Sequence, residues 1–201
     1  MYKELLNFCT VELSAFYFDI RKDTLYCEAL NSNKRKNCIT LLNIILQCLL
    51  KWFAPILSFT TEEIYQLVKK EEDIQSIHLQ NFITVPNSWN NEELSSDWEY
   101  VKKIRDEANI SIENMRAEKL IGSSLEATIE IKLNKEFYDK AKNINFSEMC
   151  ITSSASVIKE ENLKNSIDVV AKKAQGTKCP VCWKIFESNC ERHGHLNLNG
   201  Q

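Results

Sequence analysis

The stretch Trp98–Leu133, WEYVKKIRDEANISIENMRAEKLIGSSLEATIEIKL, changes its periodicity once, and that change decides the architecture. Trp98, Val101, Ile104, Ala108, Ile112 and Met115 recur every three or four residues, which places apolar side chains on one face of an α-helix. After Gly122 the spacing becomes two. Leu125, Ala127, Ile129, Ile131 and Leu133 interleave with Glu126, Thr128, Glu130 and Lys132, which predicts a half-buried strand. Gly122 is expected to stop the helix with a left-handed cap.

Upstream, helices dominate. Leu5, Leu6, Leu13, Phe16 and Ile20 follow helical spacing from the start, with no capping signal before them, as if the helix began earlier in a longer reading frame. Asn31–Asn33 reads as a loop. A helix over Lys34–Phe53 follows, with Ile39, Leu42, Ile45, Leu46, Leu49 and Trp52 as its core stripe, ended or kinked by Pro55. Thr60-Thr61-Glu62-Glu63 fits a capping box and predicts a short helix through Ile64, Leu67 and Val68. Glu71–Asp97 reads as a long connection. Downstream of the strand, a short helix over Glu136–Lys142 and one or two strands before Lys172 complete a small α/β unit. The expected fold is therefore mainly α, a helical bundle followed by a small α/β domain and a terminal metal module. The expected domains are residues 1–95, 96–175 and 176–201.

Composition agrees with a globular chain: 44% of the 201 residues are hydrophobic and 26% charged, with four glycines and three prolines, too few for a turn-rich all-β protein. Ile39–Phe59 is apolar but carries Asn43, Gln47 and Lys51, so it reads as a core helix rather than a membrane span. No signal peptide is expected, and the eight cysteines do not form a disulfide framework, so the reducing cytoplasm is the expected compartment. Cys9, Cys27, Cys38, Cys48 and Cys150 are expected mostly in the core as small hydrophobes. The net charge of −3 is unevenly spread: +2 over residues 1–70, −8 over 71–168 and +3 over 169–201. Basic ends leave room for phosphate contacts despite the negative total.

The sharpest chemical signal is Lys178-Cys179-Pro180-Val181-Cys182-Trp183 followed by Cys190-Glu191-Arg192-His193. A Cys-x2-Cys turn points two thiolates at one metal, and a second pair with the same spacing closes a tetrahedron. Three thiolates and one imidazole suit zinc rather than oxygen-seeking cations. Four protein ligands leave no place for an activated water, so one structural zinc is expected, supplying the folding energy that so short a segment lacks. His195 competes with His193 for the fourth position. The rival readings are three unpaired thiols at a frayed end, and a redox Cys179/Cys182 pair, which lacks a βαβ setting. Arg21, Lys22, Lys34, Arg35 and Lys36 form either a phosphate-contacting patch or a solvated face. Trp183 either stacks on a base or covers the metal site. There is no P-loop, no glycine-rich nucleotide loop, no paired catalytic carboxylates and no Ser/His/Asp arrangement, so no catalytic residue is assigned.

Three stretches resemble one family. Asn7-Phe8-Cys9 with Leu13–Asp23 and Leu25-Tyr26-Cys27, continued by Trp52–Thr60 with Glu62-Glu63, is similar to the anticodon-binding helical domain of bacterial-type isoleucyl-tRNA synthetases. Arg105-Asp106-Glu107 through Arg116–Lys119 to Ile121-Gly122-Ser123-Ser124-Leu125-Glu126-Ala127 resembles the segment that follows, and is distinctive enough to favour this family over the valyl and leucyl relatives. Cys179-Pro180-Val181-Cys182-Trp183 resembles its carboxy-terminal zinc module. One departure is His193 after a short spacer, where the family usually has a second cysteine pair.

The resemblance implies the carboxy-terminal, tRNA-binding part of an ATP-dependent aminoacyl-tRNA ligase of protein biosynthesis, a monomer within a longer polypeptide. Its partner would be isoleucine tRNA, met by Trp183 and the basic residues above, and not a membrane. ATP and Mg would belong to an absent catalytic domain, and the editing domain would also be absent. The rival is a free-standing zinc-containing helical adaptor that binds protein. With no phosphate-cradling loop, the purified chain should catalyse no isoleucine-dependent ATP–pyrophosphate exchange; a radiolabel exchange assay checks this.

Overall fold

The structure, a computed structural model, describes residues 2–163 and 165–194. It divides into two compact units, Met1–Cys27 with Asn91–Gln201, and Glu28–Asn90. Among the described residues no helix is long and apolar enough to cross a membrane.

The smaller unit holds α3 (Asn33–Phe53), α4 (Ser58–Val68) and a 3-10 turn at Ile77–Leu79. Helix α3 ends where Pro55 demands it, its last bond running from Ala54 N–H to the Leu50 carbonyl. Its buried line is rotated from the expected one: Cys38, Cys48 and Leu50 are buried, whereas Ile39 is exposed. The core here is Leu50, Ala54, Tyr65 and Ile77, so the partner surface is a small one. Helix α4 begins at Ser58 rather than by a capping box at Thr60-Thr61. Thr61 Oγ1 donates back to the Leu57 carbonyl at 3.0 Å, and the Glu62 carboxylate instead accepts from Ser76 Oγ at 2.8 Å and Ile77 N–H at 3.0 Å. Tyr65 is 2% exposed and donates its hydroxyl to the Ile74 carbonyl, which fixes the returning loop.

In the larger unit the first helix runs as α1 (Tyr2–Asn7), a π-helical segment Phe8–Phe18, and α2 (Asp19–Cys27). Helix α5 spans Glu92–Ala117. It starts inside the expected connection, because the Asn91 side chain accepts from Leu94 N–H at 2.9 Å and Glu92 and Glu93 sit at the positive end of the helix dipole. Its end also differs. Lys119, not Gly122, takes the left-handed conformation (φ 57°), with Leu120 N–H on the Met115 carbonyl and Lys119 N–H on Arg116. That is a Schellman closure, and Gly122 N–H is held instead by the Glu126 carboxylate.

Strand β1 (Ala127–Leu133) is central. It pairs in parallel with β2 (Ser154–Lys159) and antiparallel with β3 (Ile167–Lys173). Between β1 and β2 lie α6 (Lys135–Ala141) and α7 (Phe146–Met149). The alternation read from sequence is realised: Ala127, Ile129, Ile131 and Leu133 are buried to within 1%. They join Val101, Ile104, Ala108 and Ile112 of α5, Phe137, Phe146 and Ile20 in one core. Past β3, Gly176 turns the chain into a two-stranded ribbon of β4 (Thr177–Lys178) and β5 (Ile185–Phe186). Its φ of 117° and the Phe186 carbonyl oxygen, 2.0 Å from where a Cβ would stand, admit only glycine.

Ile104 is fully buried between α5 and the sheet, so Ile104→Ala should lower stability by about 2–5 kcal/mol. Phe59→Ala, at a side chain 93% exposed, should change it by less than about 0.5 kcal/mol. Urea unfolding of the two variants checks both.

Candidate metal centre

The β4–β5 ribbon brings the four residues of the sequence motif to one point. The ligand atoms of Cys179, Cys182, Cys190 and His193 all lie within 4.8 Å of one another. His193 Nδ1 is 3.4 Å from Cys179 Sγ and 3.3 Å from Cys190 Sγ, and the Sγ atoms of Cys182 and Cys190 are 3.9 Å apart. Metal–sulfur bonds of about 2.3 Å and metal–nitrogen bonds of about 2.0–2.1 Å give tetrahedral edges of about 3.7 and about 3.5 Å. The three separations of 3.3, 3.4 and 3.9 Å lie close to these edges. The three cysteines are buried and form the small core of the ribbon with Phe186 and Cys27 packed on it. His195, the other candidate, lies outside the described residues.

The imidazole is set for a metal by its far side. His193 Nε2 is 2.8 Å from the Cys27 carbonyl oxygen. A carbonyl only accepts, so Nε2 carries the proton and the Nδ1 lone pair faces the sulfurs. Charge is also arranged for a cation. Burial raises the Cys179 thiol pKa, but the backbone N–H groups of Cys182 and Val181, with the Cys182 and His193 side chains, outweigh it and hold the group down at about 6. Burial pushes Cys182 up to about 11, helped by Cys179 and Cys190. One thiolate is thus favoured, and a second beside it is resisted until a cation compensates. Four protein donors close the coordination sphere, which fits a structural ion. Cys150, buried and pushed up to about 12 by that burial, is an inert core thiol.

The ribbon is fastened to the body at three points that the sequence did not disclose. Arg192 makes a two-pronged ion pair with Asp23, at 2.7 and 2.9 Å. The Cys27 carbonyl holds His193. Ile185 N–H donates to Ser153 Oγ at 2.6 Å, and that hydroxyl donates to the Leu125 carbonyl. These partners are up to 169 residues apart in sequence, so no local pattern could have shown them.

Trp183 follows the second ligand, exposed at 60%, with Lys178 Nζ 5.8 Å from its ring centre. It does not cover the metal site as a core residue would. Its backbone is left-handed (φ 63°). The other candidates are dispersed. Arg21 pairs with Glu148 and lies 5.4 Å from the Tyr17 ring centre, and Lys22 pairs with Asp19 at 2.8 Å. Lys34, Arg35 and Lys36 open α3 in the smaller unit, where Arg35 donates to the Glu28 carbonyl. Beside Trp183 lies a cleft of about 400 Å³ between α2, α7 and the ribbon. Sequence reading missed it. Lys184 borders it, half-buried, and burial lowers its ammonium pKa.

Comparison with known proteins gives a consistent outcome. A family model for the anticodon-binding domain of tRNA ligases matches residues 1–131. The chain is 59% identical over 195 residues to an isoleucine–tRNA ligase of Pelagibacter ubique, covering 96% of this chain and 21% of that protein. It is 40% identical over 192 residues to the isoleucine–tRNA ligase of Agrobacterium fabrum, covering 91% and 20%. To that of Gluconobacter oxydans it is 36% identical over 200 residues, covering 98% and 20%. The chain thus spans about a fifth of the length of these curated relatives.

The site should take up one metal ion per chain, measured by metal analysis after purification under reducing conditions. A chelator should change the Trp183 fluorescence and leave the far-ultraviolet helical signal in place. His193→Ala should lower metal affinity by more than the about 10–100-fold typical of losing an outer-shell partner. Binding displaces thiol protons, so affinity should rise with pH and fall steeply once Cys179 protonates near 6.

Proposed function

Since the chain belongs to the anticodon-binding family of the tRNA ligases, as the carboxy-terminal part of isoleucine–tRNA ligase, we propose that it holds isoleucine tRNA by its anticodon arm. The ligation of isoleucine would take place elsewhere in the longer cytoplasmic enzyme, where ATP and Mg are used. One structural zinc ion at Cys179, Cys182, Cys190 and His193 stiffens the terminal ribbon.

The observation that carries the reading is the exposed indole of Trp183 on the turn that follows two converging cysteines of a cluster able to hold a metal, within a chain whose residues 1–131 match an anticodon-binding domain. An indole face held by a rigid turn is a stacking platform for an unpaired base, and the neighbouring Lys178 adds local positive charge. Cys179, Cys182, Cys190 and His193 hold the metal, which supplies no reaction step. Its role is to fix the left-handed turn that presents the ring. Arg21, Lys22, Lys34, Arg35 and Lys36 remain candidates for phosphate contact. Arg21 and Lys22 are engaged with carboxylates of their own unit, so the number of phosphates neutralised is small.

The purified chain should bind the anticodon arm of isoleucine tRNA, with affinity falling as salt rises. Trp183→Ala should weaken binding by about 1–3 kcal/mol while metal content stays unchanged. Filter binding at fixed salt, with an arm of altered anticodon as control, tests this. Equal binding of both arms and indifference to Trp183→Ala would contradict the role.

A further inference from the structure

The last turn of α2 reaches the ribbon more than once. Asp23 takes Arg192 in a two-pronged ion pair at 2.7 and 2.9 Å. One turn on, the Cys27 carbonyl stands 2.8 Å from His193 Nε2, and the Cys27 thiol donates to the Val181 carbonyl at 3.6 Å. Val181 lies between Cys179 and Cys182, and Arg192 lies between Cys190 and His193. A single turn of helix therefore touches both halves of the cysteine–histidine cluster. These are not the contacts of a loose surface pair. The side chains of Asp23 and Arg192 are only 23% and 29% exposed. Two-pronged geometry fixes the guanidinium in orientation as well as in distance. Cys27 itself packs against Cys179, Cys182 and Cys190. Its carbonyl is among the last of α2, which find no partner inside the helix. The negative end of the helix thus faces an imidazole that becomes more positive when its other nitrogen binds a cation.

We infer that the last turn of α2 is the template of the metal centre, and that Asp23 is a positioning residue which aligns the Cys190–His193 turn for ligation. This rests on the reading that the four residues hold one ion, and adds what sets the affinity for it. The ribbon has little core of its own. Without α2 its ligand turns would have to be ordered as the ion binds, and the entropy lost would be subtracted from the affinity. Asp23 acts through Arg192, whose backbone carries the chain from Cys190 into His193.

The test uses the full chain, stripped of metal and kept reduced. It is titrated with cobalt(II), and with zinc against a coloured chelator. Asp23→Ala and Arg192→Ala should each lower affinity about tenfold, as for the loss of a group behind a metal ligand. Because the two side chains act on each other, the double variant should bind no more weakly than either single one. Asp23→Glu, which keeps the carboxylate, should recover most of the loss. Asp19→Ala removes a carboxylate of the same helix that holds Lys22 instead, and should leave the affinity unchanged. The cobalt absorption bands and the helical signal of each variant report that the ligand set and the fold are intact. If Asp23→Ala binds as tightly as the unchanged chain, or if Asp23→Glu recovers nothing, the inference is overturned. It is also overturned if Asp19→Ala costs as much, since general negative charge would then suffice, or if the two losses add in the double variant. Failure of the unchanged chain to take up any ion would instead remove the metal reading itself.

Discussion

Strand β1 is hydrogen-bonded along both edges and sealed on one face by α5, α6 and α7, and its inward side chains are at most 1% exposed. A strand in that position cannot slip: a shift of one residue would turn Ile129, Ile131 and Leu133 outward and Glu130 and Lys132 into the core. The fixed register then sets what lies at its entrance. The Ala127 carbonyl accepts from Ser153 N–H and the Leu125 carbonyl from Ser153 Oγ. The same hydroxyl receives Ile185 N–H from the metal ribbon. A line of hydrogen bonds thus runs from the most rigid element to the first residues after the metal turn.

The ribbon itself has almost no apolar surface to bury. Cys179, Cys182 and Cys190, with Phe186 and Cys27 packed against them, are its core. Its position depends on directional contacts, the ion pair of Arg192 with Asp23 and the Cys27 carbonyl on His193. Both ends of these contacts matter for the cleft, because α2 forms one wall and the ribbon the other. The carbonyl that faces the His193 imidazole belongs to the last residue of α2, so metal uptake by this cluster would be coupled to the placement of that wall.

Periodic and covalently spaced features were legible in the sequence; long-range and conformational ones were not. The buried face of α5 and the alternation of β1 were read correctly because each follows from the geometry of its own element. Two equal spacings singled out Cys179, Cys182, Cys190 and His193, and these four side chains converge. The cap of α5 was misplaced because Gly122 is the better left-handed residue in isolation, whereas the chain closes at Lys119 with bonds to Met115 and Arg116. The stripe of α3 was misjudged at Ile39, which is exposed, whereas Cys38 and Cys48, expected in the core as small hydrophobes, are buried. Glu62 looked like a helix cap and serves a loop fourteen residues on. The fastenings of the ribbon and the cleft with Lys184 join segments far apart in the chain, and no window of sequence contains them.

The π-helical segment Phe8–Phe18 carries a consequence for how this chain can vary in length. An α-helix advances about 100° per residue, and a π turn holds more residues than an α turn. Inserting or deleting one residue there therefore re-aims everything after it by about a quarter turn or more, unless the winding adjusts. Thr24 must face Glu148, Asp23 must face Arg192, and Cys27 must present its carbonyl to His193. The wide turns act as a vernier between the start of the helix and its far end. A deletion within Phe8–Phe18 can be absorbed by converting a π turn into an α turn, whereas the same deletion within Asp19–Cys27 would have no such reserve and would carry the whole end of the helix out of phase with the ribbon.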